Sequence, residues 1–135
     1  MNLKKIQGDQ AEQKALQAYL DRGARLLSRN YRVKAGELDL VFEERAIEAP
    51  QEQLSGQFSG QLVIVEVRAR TSGRAWETAA ESLTPSKLAR IRRATSCLLV
   101  DPQWRDRAPH WASIRFDLAA WDGSRLQIHP NFWWY

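Results

Sequence analysis

The chain has 135 residues but one cysteine (Cys97), one methionine and two histidines. A single cysteine excludes intramolecular disulfides and any zinc site built on several thiolates. His110 and His129 stand alone, with no ligand or general-base partner spaced near them. Long apolar runs are missing as well. The opening "MNLKKIQGDQ" has no hydrophobic leader, and no stretch approaches the length of a membrane span. The expectation is a cytoplasmic protein with no membrane partner. Internal repeats and low-complexity tracts are also absent.

What is present fits one globular domain over residues 1–135, with 44% hydrophobic and 27% charged residues. The net charge of +4 is by itself a weak pointer to a polyanionic partner. Its distribution says more. Residues 66 to 93 hold seven cations (Arg68, Arg70, Arg74, Lys87, Arg90, Arg92, Arg93) against three acids, an excess equal to that of the whole chain. Residues 43 to 61 hold four acids and one arginine.

Periodicity gives the order of elements. Ala11, Ala15, Leu16 and Tyr19 recur at helical spacing between Gly8 and Arg22, and Gly23 is a natural stop. "RLLSRNYRV" reads as a strand, Gly36 to Phe42 as a second, and Gln61 to Arg70 as a third. The acidic stretch between the last two, residues 43–61, reads as an exposed hairpin loop. Thr84-Pro85 starts a helix whose apolar stripe is Leu88, Ile91, Ala94, Thr95, Leu98 and Leu99. "SIRFDLAAW" and "RLQIH" follow as strands. The fold class is α/β, a mixed central sheet of about five strands flanked by helices. Trp76, Trp104, Trp111 and Trp121 are expected to pack into the core or under loops. An aromatic tail, residues 130–135, is expected to pack on the sheet, or else to bury in a homodimer or stack on bases.

Two segments do not fit a sheet selected only for stability. "GELDLVF" and "LVIVEVRAR" place Glu37, Asp39 and Glu66 within the most apolar runs of the chain. Alternation puts Glu37, Asp39 and Val41 on one face, and Ile64, Glu66 and Arg68 on one face of the next strand. Antiparallel pairing in which partner numbers sum to about 105 sets Val41 against Ile64, Asp39 against Glu66, and Glu37 against Arg68. Like charges so opposed cost up to about 1 kcal/mol, and more when buried. Spacing alone leaves two explanations open. The acids share a divalent ion, or they are solvated strand-end residues paired with nearby arginines.

These segments carry a resemblance. "GELDL" followed by a strand ending in "VEVRAR" resembles the metal-binding core of the restriction-endonuclease-like, PD-(D/E)XK superfamily. More narrowly, the chain resembles the YraN-like family of small bacterial proteins, through Gly8, Glu12 and Ala15 in "GDQAEQKA", "RNYR", "GELDL", "VEVRAR", "TPSK" and "RFDL". The resemblance implies a restriction-endonuclease-like core and a Mg²⁺ (or Mn²⁺) site. Asp39 and Glu66 would be ligands, the Val67 carbonyl would join them, and Glu12 would be a further acid from the first helix. The superfamily's lysine two residues past the glutamate is replaced here by Arg68. Arginine cannot act as a general base, although it can clamp a phosphate.

The resulting expectation is a nucleic-acid-binding protein, with DNA as one candidate partner, and Mg²⁺-dependent phosphodiester hydrolysis at Asp39, Glu66, Arg68 and Glu12. Lys87 can reach that site from the start of its helix. Arg68, Arg70, Lys87, Arg90 and Arg93 would track the phosphate backbone, and Glu37 would orient Arg68 or the strand end. The alternatives are a catalytically inactive member that binds DNA or protein, and an assembly protein dimerising through its tail.

Overall fold

The computed structural model describes residues 2–45, 60–70 and 79–133. Helix α1 (Leu3–Asp21) leads into strands β1 (Arg25–Val33), β2 (Gly36–Arg45) and β3 (Gly60–Ala69). Helix α2 (Pro85–Leu99), two short 3-10 turns, β4 (Trp111–Trp121) and β5 (Leu126–Trp133) follow. The strands form a five-stranded sheet in the order β1-β2-β3-β4-β5. Every neighbouring pair is antiparallel except β3 and β4, which run parallel with α2 as the crossover between them. This is a mixed α/β architecture consistent with the restriction-endonuclease-like core.

One helix covers each face. Ala11, Ala15, Leu16 and Tyr19 of α1 pack on Leu40, Phe42, Val63, Val65 and Ala119. Ile91, Ala94 and Leu98 of α2 pack on Leu38, Val41, Leu62, Ile64, Phe116 and Leu118. A strand covered on both faces has no solvent side, so β3 reads as a continuous apolar run. An acid inside that run, Glu66, therefore enters a buried environment.

Local chemistry fixes the helix ends. The Thr84 hydroxyl accepts from the Lys87 backbone N–H at 3.2 Å, with Pro85 in the first turn. Gly23, at φ +88°, stops α1 in the left-handed conformation that glycine adopts without strain. Gly36 has a different reason. A Cβ there would lie 2.4 Å from the Arg90 carbonyl oxygen, so the bare backbone lets α2 sit directly on the start of β2.

Several boundaries depart from the sequence expectation. α1 begins at Leu3, not Gly8, because the Asn2 side chain caps the Lys5 N–H at 3.3 Å and nothing crowds Gly8. Residues 43–45 and 60–61, expected in an exposed loop, extend β2 and β3, and Glu43 is buried. The rest of that loop, 46–59, lies outside the described residues. β5 runs past His129 through Pro130, which an edge strand tolerates. The tail is thereby sheet as far as Trp133, with Phe132 packed against the α2-side core. Trp104, Trp111 and Trp121 pack against the two cores as expected. Trp76, Arg74, Trp134 and Tyr135 lie outside the described residues.

Candidate metal and phosphate site

β2 and β3 pair in the expected register, with Val41 opposite Ile64, but the ladder ends at Leu40 and Val65. Beyond that point the strands fork, so Asp39 and Glu66 are not cross-strand partners. The Asp39 side chain turns into the fork instead, where Oδ2 accepts the Val67 backbone N–H at 2.9 Å. The carboxyls of Asp39 and Glu66 lie within hydrogen-bonding reach of each other. The acids converge. Residues in an extended strand direct N–H and C=O to the same side, so the Val67 carbonyl also faces this fork.

Burial governs the electrostatics. Desolvation raises the Asp39 carboxyl above the usual aspartate range, against the lowering effects of the Val67 N–H, Arg68 and Lys87. Glu66 is pushed up to about 8, by burial first and by the Asp39 charge second. Two cations oppose this from close by. Arg68 approaches Glu66 Oε1 at 2.8 Å and Lys87 Nζ approaches the same oxygen at 3.6 Å. The Arg68 nitrogen is near enough for charge contact but poorly aimed. Glu66 Oε1 is buried without a hydrogen-bond donor, and the buried Arg68 Nε has no acceptor. An unsatisfied carboxyl oxygen in a buried site costs about 1–3 kcal/mol, and such atoms in a native fold call for an explanation.

The remaining expected site residues divide. Lys87 is delivered to the acids by the first turn of α2, whose position Gly36 permits. Arg70 sits beside Arg68: desolvation and then the Arg68 charge lower its pKa, and its guanidinium donates to the Ala69 carbonyl. Arg90 and Arg93 are exposed further along α2. Glu12 is not brought to the acid pair. Its Oε1 accepts from Arg29 at 3.1 Å and from Asn30 at 3.3 Å. Glu37 does not orient Arg68 but pairs with Arg32 of β1 at 3.3 Å. Among the described residues no group of three or more acids, histidines and cysteines is placed to hold a metal ion. The groups that could meet an ion here are therefore two carboxyls and a backbone carbonyl.

Sequence reading missed a second buried acid system. Asp117 of "RFDL" is fully buried, yet both of its oxygens are bonded. Tyr19 donates at 2.5 Å, the Arg115 Nε at 2.9 Å, and the Asn131 backbone N–H at 3.1 Å. Arg115 also donates to Glu44 and Gln61. At the far end of β2, Glu43 accepts from Arg107 and from the Trp111 indole. Burial works against the Glu43 charge most strongly, but these bonds and the Arg107 and Arg25 charges hold its pKa below the usual range. The signal was available: "RFDL" breaks an apolar strand with charge, as "GELDL" does.

No helix of the described residues is long and apolar enough to cross a membrane. Comparison with known proteins places these features in a family. The model of the uncharacterised protein family UPF0102 matches residues 11–120, a span that includes the acids of both systems and both helices' packed faces. A UPF0102 protein of Ralstonia nicotianae is 37% identical over 89% of this chain and 80% of its own length. One of Bordetella avium is 38% identical over 90% of this chain and 70% of its own, and one of Mycolicibacterium gilvum 34% identical over 82% and 76%. With more than two thirds of the chain and of these relatives in register, this protein belongs to the UPF0102 family, the YraN-like proteins.

Proposed function

We propose that the fork between β2 and β3 is a divalent-cation site at which the protein binds nucleic acid and hydrolyses phosphodiesters. The observation that carries this reading is Glu66 Oε1, an oxygen buried beside a second carboxyl with no donor aimed at it. The residues present fit a Mg²⁺-type ion. Carboxylate oxygens of Asp39 and Glu66 and the Val67 carbonyl would hold it, an all-oxygen set that suits a hard cation needing few protein ligands. When bound, such an ion supplies Lewis-acid polarisation of a phosphoryl oxygen and acidifies water.

The chain's own residues do the rest. Asp39 is held in the fork by the Val67 N–H, which bonds its Oδ2. Arg68 presents a planar guanidinium with an unused buried Nε–H, suited to bidentate grip on a phosphate. Lys87 contributes a compact point charge near the same Glu66 oxygen, so one cation clamps while the other balances charge developing on the phosphate. Arg90 and Arg93 continue the positive stripe along α2 for a sequence-blind contact with further phosphates.

The test is cleavage of labelled duplex, flap, junction and single-stranded substrates with Mg²⁺ or Mn²⁺. Wild type should cleave at least one of them. Asp39→Ala should abolish the activity, and Lys87→Ala should lower it by about 10²-fold. No cleavage by wild type on any substrate overturns the hydrolytic reading.

One observation favours a second reading. Arg68 already lies 2.8 Å from Glu66, where the superfamily pattern has lysine, and a guanidinium so placed can stand in for the ion. In that case the protein is a non-catalytic module, and salt-sensitive binding persists without cleavage and without any effect of Asp39→Ala.

A further inference from the structure

Regular strands alternate their side chains, yet Leu38 and Leu40 of β2, two residues apart, pack in opposite cores. Leu38 joins Val41 beneath α2, and Leu40 joins Phe42 beneath α1. β2 therefore switches faces at Asp39. The neighbouring strand does the same at the same level. Arg29 and Asn30, consecutive on β1, both reach Glu12 of α1, whereas Tyr31 packs on the α2 side. The register pairs Arg29 with Leu40 and Tyr31 with Leu38, so Asn30 and Asp39 are the residues bracketed between them. Asn30 has φ +53°, a left-handed conformation within a strand.

We propose that Asn30, pinned by Glu12, is the positioning residue for Asp39. A left-handed residue reverses the side-chain alternation of β1, and the paired β2 follows. Asp39 then leaves both faces of the sheet and enters the plane of the fork, where it meets the Val67 N–H. Asparagine is among the few residues that adopt this conformation readily, and a β-branched residue is not. The Asn30 amide donates to Glu12 Oε1 at 3.3 Å and Arg29 donates to the same oxygen at 3.1 Å, which ties the turn to α1. Glu12 is thus assigned to holding the turn that aims a ligand, not to the metal itself. The purpose of this device rests on the proposed cation site, but its geometry does not.

Amide hydrogen exchange of the metal-free protein separates the two. In Asn30→Val the Val67 amide should lose protection by about 10-fold or more relative to Val65, whose N–H lies in the intact β2–β3 ladder. Asn30→Gly, which keeps the left-handed conformation open, should stay within about 3-fold of wild type at Val67. Wild-type protection of Val67 in the valine variant overturns the proposal, as does a loss shared equally by Val65. Equal loss in the glycine variant would place the effect on the amide contact alone and overturn the backbone account. Should the valine variant not fold, Asn30→Ala takes its place with the same criteria. Calorimetric Mn²⁺ titration adds the functional arm: affinity should fall in the valine variant and persist in the glycine variant. A wild type that takes up no Mn²⁺ sinks the cation site, while the exchange comparison still judges the role of Asn30.

Discussion

Glu66 and Asp117 are buried on adjacent strands of the same sheet, one position apart in register, and each has an arginine two residues away in sequence. Formal charge is balanced around both. Asp117 and Glu44 face Arg115 and Arg22, while Asp39 and Glu66 face Arg68 and Lys87. Directed hydrogen bonds are what differ. Both Asp117 oxygens receive aimed donors from α1, β4 and β5, and the Arg115 partner is raised further above its usual range despite its burial. Glu66 keeps an oxygen without a donor, and burial together with Asp39 pushes its proton affinity up. Charge count does not separate these two acids. Between Glu66 and Asp117 the aimed donors differ, although Glu44 Oε1 beside Arg115 also lacks one.

The largest expected effect lies on the structural side. Asp117→Asn leaves Arg115 buried with weakened compensation and should cost about 3–5 kcal/mol in urea unfolding. Mn²⁺ binding by the folded fraction should remain. If the variant loses its metal but keeps its stability, the two systems have been assigned the wrong way round.

The opposite sign is expected at the other acid. Glu66 binds its proton more tightly in the folded protein, at about 8 against an ordinary 4.5. Its stabilising contribution is therefore complete below about 4.5 and is lost as pH rises through about 8. Metal-free protein should weaken across that window, as the direction of the Asp39 shift reinforces. Glu66→Gln should reduce this slope to the part due to Asp39 and unfold at a higher temperature than wild type above pH 8, read with a chelator present. A flat wild-type profile would contradict the burial argument.

A smaller effect sharpens the geometry. Gly36→Ala drives a methyl into the Arg90 carbonyl and should cost about 1–3 kcal/mol as α2 backs away. The Lys87 ammonium moves away from Glu66 with it, so metal-free Glu66 should titrate higher still by carbonyl-region NMR. An unchanged Glu66 titration would mean that the lysine's reach does not depend on how closely the helix sits.

Much of this was legible in the residues. "RLLSRNYRV" is β1 residue for residue, Thr84-Pro85 starts α2, and the β2–β3 register follows from alternation plus a hairpin. Convergence of Asp39 and Glu66 at one rim was legible too. The route by which they converge was not. Alternation assumes regular strands, and a left-handed Asn30 flanked by arginines in "RNYR" looks like any polar strand residue until its φ is known. The buried network was hidden for another reason: Tyr19 and Asp117 are 98 residues apart, and nothing local in either segment announces the partner. Asn131, the other left-handed asparagine, also stands beside a buried aspartate, donating its N–H to Asp117. The aromatic tail hid its pairing because Pro130 reads as a stop, whereas at a sheet edge it costs no ladder bond.

Calorimetric titration of Mn²⁺ into wild type, Asp39→Ala and the Asp117→Asn control bears most directly on the claim that the forked acids share a cation. A single site in wild type and in the control, with no heat in Asp39→Ala, is the expected result. No heat in wild type, or equal heat in Asp39→Ala, would contradict it.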